Sequence, residues 1–207
     1  TKVMTKVMKR NIIIFCVGLM AIAAGLVGDL YLRDQKPELF PSIGKTPFSL
    51  ISHEGKPITN RDLIGTPTAI YFGFTWCPDI CPTSLSKMAD MKAELAALDT
   101  AGQPLQLVFF SVDPARDTVQ QMADYVSLFD GDIIGITGDA PLIDEALRRF
   151  GIFAQKVGEG EDYLVDHSSS VYLYDQTGRF EGTISPAEPY EMGLAKLARL
   201  VGAKGLN

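Results

Sequence analysis

An α/β fold with a central mixed sheet flanked by helices is predicted by three features of the 207-residue sequence. Two continuously apolar runs, Thr68 to Phe74 and Leu105 to Val112, read as strands buried on both faces, as in a parallel sheet. Each is followed by a stretch whose apolar residues recur at steps of three and four, the period of a helix packed on a sheet. Short paired runs near both ends enclose turn residues, as antiparallel hairpins do. With 46% hydrophobic and 21% charged residues, the composition is that of one folded domain with a sizeable core.

In chain order, Phe48 to Ile51 and Lys56 to Thr59 flank Ser52-His53-Glu54-Gly55 and form the first hairpin. After the strand Thr68 to Phe74, Leu85, Met88, Met91, Leu95 and Leu98 line one face of a helix spanning Pro82 to Leu98, with Pro82 suited to its first turn. Thr118 and Gln121 stand in capping-box spacing at the start of a helix to Phe129, whose inward residues are Val119, Met122, Val126 and Phe129. A short strand, Ile133 to Ile136, leads to a helix from Pro141 to Phe150, preceded by the cap candidate Asp139 and stopped by Gly151. Val171 to Tyr174 and Phe180 to Ile184 bracket Asp175-Gln176-Thr177-Gly178-Arg179, a second hairpin, and Tyr190 to Val201 closes the chain as a helix. A first long strand that runs through a cysteine loop into a helix makes the arrangement thioredoxin-like.

Ahead of this domain, the apolar stretch Ile12 to Gly28 follows Lys2, Lys6, Lys9 and Arg10. A helix of that length covers about 25 Å, and apolar character continues to Leu32, so the expectation is a transmembrane helix with its basic end in the cytoplasm. Ala21-Ile22-Ala23 also has the small-x-small form of a signal-peptide cleavage site, and either reading exports the rest of the chain. Cys16, inside the apolar run, is read as an inert membrane cysteine. The expected organisation is thus a cytoplasmic tip and anchor over residues 1–33, a proline-bearing linker over 34–47 and one domain over 48–207. With no Arg/Ser-rich transit segment ahead of the anchor, a bacterial inner membrane with the domain in the periplasm is favoured over a mitochondrial membrane. Residues 1–36 hold six of the 19 Lys/Arg and two of the 25 Asp/Glu, so the exported part carries a net charge of −10, which argues against a nucleic-acid partner.

Chemistry concentrates in Cys77-Pro78-Asp79-Ile80-Cys81-Pro82, which holds two of the three cysteines. Three intervening residues in a turn or helix put their Cα atoms about 5–6 Å apart, so the pair can close as a disulfide or hold a metal. A domain of this size does not need one disulfide for stability, so the pair is read as functional. At a helix N-terminus, free N–H groups and the helix dipole favour thiolates at both Cys77 and Cys81. Thioredoxin-type redox pairs are spaced by two residues; spacing by three favours a chelate. A bound ion needs a third donor, and the imidazoles available are His53, expected to be solvated in its hairpin turn, and His167, in a loop before a strand. Such a histidine is more often structural than a ligand. Two sulfurs and a nitrogen suit Cu(I), and Cu(II) with a further ligand; a structural zinc site would want four protein ligands. Asp79 and Asp113 are candidates to orient the ligands, or simply cap and turn carboxylates. Met88 and Met91 fall on the apolar stripe of their helix and read as core.

Three motifs in order, the cysteine loop, Ser111-Val112-Asp113-Pro114-Ala115-Arg116-Asp117-Thr118 and Asp162-Tyr163-Leu164-Val165-Asp166-His167, resemble those of the Sco/SenC family of copper proteins. The resemblance runs from the linker to the last helix and includes the single N-terminal anchor. It implies that Cys77, Cys81 and His167 bind copper, and that the protein serves the dinuclear copper centre (CuA) of cytochrome c oxidase subunit II. The service is copper delivery by a chaperone, supplied by a copper donor, or reduction of the receiving cysteines by a thiol-disulfide oxidoreductase that itself draws on a thiol reductant. In the second case Cys77 attacks and Cys81 resolves. A redox or copper sensor is the third reading.

Overall fold

The computed structural model describes residues 40–97 and 102–203, together with the isolated positions 18, 20 and 25. The chain divides into two units, Thr1–Glu38 and Leu39–Asn207. The apolar run read as a membrane helix lies outside the described residues apart from Gly18, Met20 and Gly25, which are helical. Among the described residues no helix is long and apolar enough to cross a membrane.

The second unit is built on a seven-stranded sheet in the order β2-β1-β5-β4-β3-β8-β9. Its centre is parallel: β3 (Thr68–Gly73) pairs with β4 (Gln106–Ser111), and β4 with β5 (Ile133–Thr137). Antiparallel hairpins extend both sides, β1 (Ser49–Ser52) with β2 (Pro57–Thr59), and β8 (Val171–Tyr174) with β9 (Phe180–Ile184). Every residue of β3 is buried, which is why its sequence shows no polar alternation.

The pleat sorts the central aromatics onto two faces. Phe72 and Phe110, paired in register, point toward Phe150 at the end of α3 (Ala140–Phe150), with ring centroids 5.4 and 6.0 Å from it. Tyr71 and Phe109, also paired, face the opposite side, where Phe109 meets Tyr125 of α2 (Val119–Val126) at 5.2 Å and the Tyr71 hydroxyl reaches Cys81 of α1 (Ile80–Ala97). On α1, Met88 and Met91 are buried in the core, as their stripe position implies. α4 (Tyr190–Val201) packs beside α1 and against β8 and β9. Two glycines end helices in the left-handed conformation that their missing Cβ permits: Gly151 after α3 (φ 71°) and Gly202 after α4 (φ 72°). In the segment read as a linker, Phe40 lies 5.0 Å from the rings of Tyr172 and Phe180, and Ile43 is wholly buried.

Two sequence expectations require correction. The first helix starts at Ile80 rather than Pro82, which puts Cys81 inside its first turn. The histidine lies in a hairpin that the sequence pattern does not predict: β6 (Ala154–Val157) and β7 (Leu164–His167) form a separate two-stranded sheet, so His167 ends a strand instead of lying in a loop. Apart from Val165 this hairpin buries no side chain fully and therefore shows no hydrophobic period.

One buried carboxylate joins the strand ends on the cysteine-loop side of the sheet. Asp117, with no exposed surface, accepts hydrogen bonds from the Thr75 N–H (3.1 Å), the Thr75 hydroxyl (2.7 Å) and the Ser111 hydroxyl (2.6 Å). Its backbone carbonyl accepts from the Thr137 hydroxyl at 2.6 Å, so the ends of β3, β4 and β5 meet at one residue. Asp117→Ala leaves three donors without their acceptor and is expected to lower the unfolding free energy by about 3 kcal/mol. Chemical denaturation should show a reduced midpoint at unchanged slope. A loss below about 0.5 kcal/mol, the range of ordinary surface changes, would contradict this role.

Candidate functional site

The cysteine loop emerges from the end of β3 and turns directly into α1. Cys77 is half-buried and Cys81 fully buried, and both thiols are free. The Cys81 backbone N–H donates to the Cys77 sulfur at 3.4 Å, as expected where the first turn of a helix presents unpaired donors. The Cys81 sulfur accepts from the buried Tyr71 hydroxyl at 3.6 Å. It also faces Nε2 of His167, a residue 86 positions away, at 3.8 Å. Gly73, at the end of β3, leaves room for this sulfur: a Cβ there would stand 2.7 Å from the Phe109 ring, 2.9 Å from the Tyr71 ring and 3.0 Å from Cys81 Sγ.

The imidazole is oriented from behind. His167 Nδ1 lies 3.0 Å from the Ser168 carbonyl oxygen. A carbonyl only accepts, so Nδ1 carries the proton and Nε2 presents its lone pair to Cys81. Ser168 is itself held by two bonds to Phe153, whose carbonyl accepts from the Ser168 N–H (3.1 Å) and whose N–H donates to the Ser168 hydroxyl (3.3 Å). Phe74 and Tyr71 meet the imidazole edge-on at 5.8 and 6.3 Å.

The two thiols differ in charge, contrary to the expectation that both would be thiolates. Donation from the Cys81 thiol lowers the Cys77 pKa to about 4, against burial, with further support from the backbone N–H groups of Asp79 and Cys81. The same interaction with Cys77 pushes the Cys81 thiol upward, and burial adds to it. Sharing one helix end, the buried partner keeps its proton and the half-exposed one loses it. Burial likewise pushes Tyr71 upward, so its hydroxyl stays a donor.

The other named residues divide. Asp79 is exposed immediately before α1 and contributes its backbone: its N–H supports the Cys77 thiolate and its carbonyl accepts from the Thr83 N–H at 3.2 Å. Asp113 does not touch the cysteines; it accepts from Arg116 Nε at 2.6 Å and from the Tyr163 hydroxyl at 2.7 Å. His53 is half-buried rather than solvated, with Nδ1 accepting the Gly135 N–H at 3.0 Å, and it stitches β1 to β5. The sequence reading did not single out Asp117, Gly73, Tyr71 or Ser168. Asp117 stands in a quoted motif and Ser168 directly follows the histidine, whereas Gly73 and Tyr71 carry no signal separable from strand packing.

Among the described residues, no three His, Cys, Asp or Glu side chains are already drawn together as a closed metal cage. What the chain provides is a thiolate and a buried thiol at the start of α1, with an oriented imidazole nitrogen 3.8 Å from the buried sulfur, a soft donor set.

A model of the SCO1/SenC family matches residues 36–202. The chain is 46% identical over 142 residues to "Protein SCO1 homolog 1, mitochondrial" of Arabidopsis thaliana, a match covering 64% of this chain and 41% of that protein. The crystal structure of Arabidopsis thaliana ScoI with copper bound is similar at a TM-score of 0.70 and 37% identity, over 75% of this chain and 96% of that one. BsSco, described as a member of the Sco family of cytochrome c oxidase assembly proteins and as having a disulfide switch, is similar at a TM-score of 0.62 and 26% identity, over 80% and 96%. The chain spans about half the length of the curated relatives it matches. With most of its length matched by the family and its strand order, cysteine loop and histidine hairpin described above, the chain belongs to the SCO1/SenC family.

Proposed function

We propose that this protein is a membrane-anchored copper chaperone that takes the ion through Cys77, Cys81 and His167 and serves assembly of the CuA centre of cytochrome c oxidase, with oxidase subunit II as its partner. The observation that carries the reading is the approach of His167 Nε2 to Cys81 Sγ at 3.8 Å, with Nδ1 already committed to the Ser168 carbonyl. A hydrogen bond that fixes the tautomer of a histidine and turns its free nitrogen toward a sulfur is the arrangement a soft metal ligand needs. The family members that hold copper or are described as oxidase assembly proteins support the cargo and the partner. The basic-then-apolar N-terminal segment supports an anchor in a bacterial inner membrane with the domain in the periplasm.

Copper enters as cargo. Cys77 is ready as a thiolate, whereas Cys81 gives up its proton when the ion binds. With Tyr71 beside the Cys81 sulfur and Trp76, 56% exposed, beside Cys77, one side of the pair is sealed and the other open to an incoming thiol.

Thiol-disulfide exchange is a second reading, favoured by the same asymmetry. The Cys77 thiolate attacks a target disulfide and one target thiolate leaves. Cys81 then loses its proton and attacks the Cys77 sulfur, the second target thiolate leaves, and two electrons have passed from the pair to the target.

Titration of the reduced protein with Cu(I), followed by Trp76 fluorescence, separates the readings. His167→Ala, Cys77→Ala and Cys81→Ala are each expected to weaken copper binding by more than the about 100-fold that loss of an outer partner costs. A His167→Ala variant with unchanged affinity would remove the three-ligand site and leave the exchange reading, which requires both cysteines and tolerates loss of the imidazole.

Proton release gives an independent check. At neutral pH Cys77 lies above its lowered pKa of about 4 and has no proton to lose, whereas Cys81 has one. Calorimetry in buffers of different ionisation enthalpy should find about one proton released per ion at pH 7. Release of about two protons at pH 7 would show that both thiols bind protons in the apo protein.

A further inference from the structure

The β6–β7 hairpin that ends in His167 shares no strand pairing with the seven-stranded sheet, so something else must hold its imidazole against the cysteines. The contacts that do so converge on Arg116, from the loop between β4 and α2. Its Nε donates to Asp113 at 2.6 Å and its Nη1 to the Glu161 carbonyl, in the hairpin's own turn, at 3.1 Å. Its guanidinium carbon lies 3.6 Å from the centroid of the Tyr163 ring, and Lys156 of β6 stands over that ring at 3.7 Å. The Tyr163 hydroxyl donates back to Asp113 at 2.7 Å, closing a ring of contacts between loop and hairpin. Arg116 Nη2 has no hydrogen-bond partner among the described residues; the guanidinium carbon is 5.7 Å from both the Phe74 and Trp76 centroids, so the same group also covers the cysteine loop.

We propose that Arg116 and Tyr163, with Asp113 between them, act as a latch that positions His167: closed, it holds the imidazole at Cys81; released, it lets the hairpin carry the third donor away from the two thiols. The chemistry suits a latch. A planar guanidinium stacked on a phenol ring and paired to a carboxylate depends on shape as well as charge, so lysine does not replace it. Because the hairpin has few fully buried side chains, loss of the latch frees it without unfolding the sheet. The inference rests on the proposed role of His167 in copper binding, and its first test does not involve copper.

Amide hydrogen exchange of the apo protein is the first measurement, on Arg116→Lys and Tyr163→Phe, with Arg149→Ala as control because Arg149 pairs with Glu145 on α3. In both latch variants the β6–β7 amides are expected to exchange about 10-fold faster while those of β3, β4 and α1 keep wild-type protection. Unchanged hairpin protection, or a loss spread evenly over the sheet, would overturn the latch. The second measurement is Cu(I) release to a competing chelator: Arg116→Lys should release about 10-fold faster than wild type, and Arg116→Lys combined with His167→Ala no faster than His167→Ala alone. Further acceleration in the combined variant would overturn action through His167. If His167→Ala releases copper at the wild-type rate, the copper reading fails, and the exchange data alone decide whether the hairpin is latched.

Discussion

The site depends on one steric allowance. The Cys81 sulfur occupies the layer between sheet and helix, in space that a Cβ at Gly73 would fill. From that position it is within reach of three groups on separate elements: the Tyr71 hydroxyl on β3, the Cys77 sulfur in the loop and His167 Nε2 on β7. Burial there explains the difference between the thiols. A second negative charge in that layer would be desolvated and face the first, so the proton stays on the inner sulfur and the outer one is left ionised. Both proposed roles, copper binding and disulfide exchange, would draw on this division, since each needs one thiolate ready and one sulfur that yields its proton only when a partner arrives.

Around the sulfurs, two polar assemblies divide the work of positioning. Asp117 gathers Thr75, Ser111 and Thr137 and so locks the strand ends from which the cysteine loop departs. Asp113, four residues earlier in the chain, faces outward to Arg116 and Tyr163 and ties down the hairpin. The motif Asp113-Pro114-Ala115-Arg116-Asp117 thus spends one carboxylate on each half of the site, and the Asp117 N–H donating to the Asp113 carbonyl at 2.9 Å couples them. That one short segment serves both halves follows from topology: it leaves β4, the neighbour of β3, on the side where the cysteine loop leaves β3.

How much of this was legible in the sequence follows from what kind of signal each part carries. β3 and β4 announce themselves as unbroken apolar runs, the β1–β2 and β8–β9 hairpins by the turn residues between their strands, and α4 by its helical period, running over Tyr190–Val201 as its pattern indicates. The β6–β7 hairpin lacked such a signal, since its strands, Ala154–Val157 and Leu164–His167, bury only Val165 fully. Cys77 and Cys81 stood out by chemistry and spacing, and His167 as one of two histidines. What sequence patterns could not give was the inequality of the thiols. The helix-terminus argument treats Cys77 and Cys81 alike, and only the depth of each sulfur separates them. The different fates of Asp79 and Asp113 were equally hidden: both are carboxylates at element ends, yet one contributes backbone groups to Cys77 and the other anchors Arg116.

The donor set has a consequence for the choice between carrying an ion and exchanging electrons. A thiolate that persists to low pH is a ready ligand but a weaker nucleophile than a thiol ionising near neutrality, because nucleophilicity falls with basicity. The shift that makes Cys77 available to a soft metal at any ordinary pH therefore blunts it as an attacking group while leaving it a good leaving group. Meanwhile the imidazole adds nothing to a sulfur–sulfur exchange that the Cys81 thiol and the helix N–H groups do not already supply, yet its tautomer is fixed and its lone pair directed at a sulfur. A site shaped for exchange alone would have no use for that direction, and a site shaped for a two-sulfur, one-nitrogen ion needs it. The balance of the donors thus favours the proposed metal role over exchange by the same thiols.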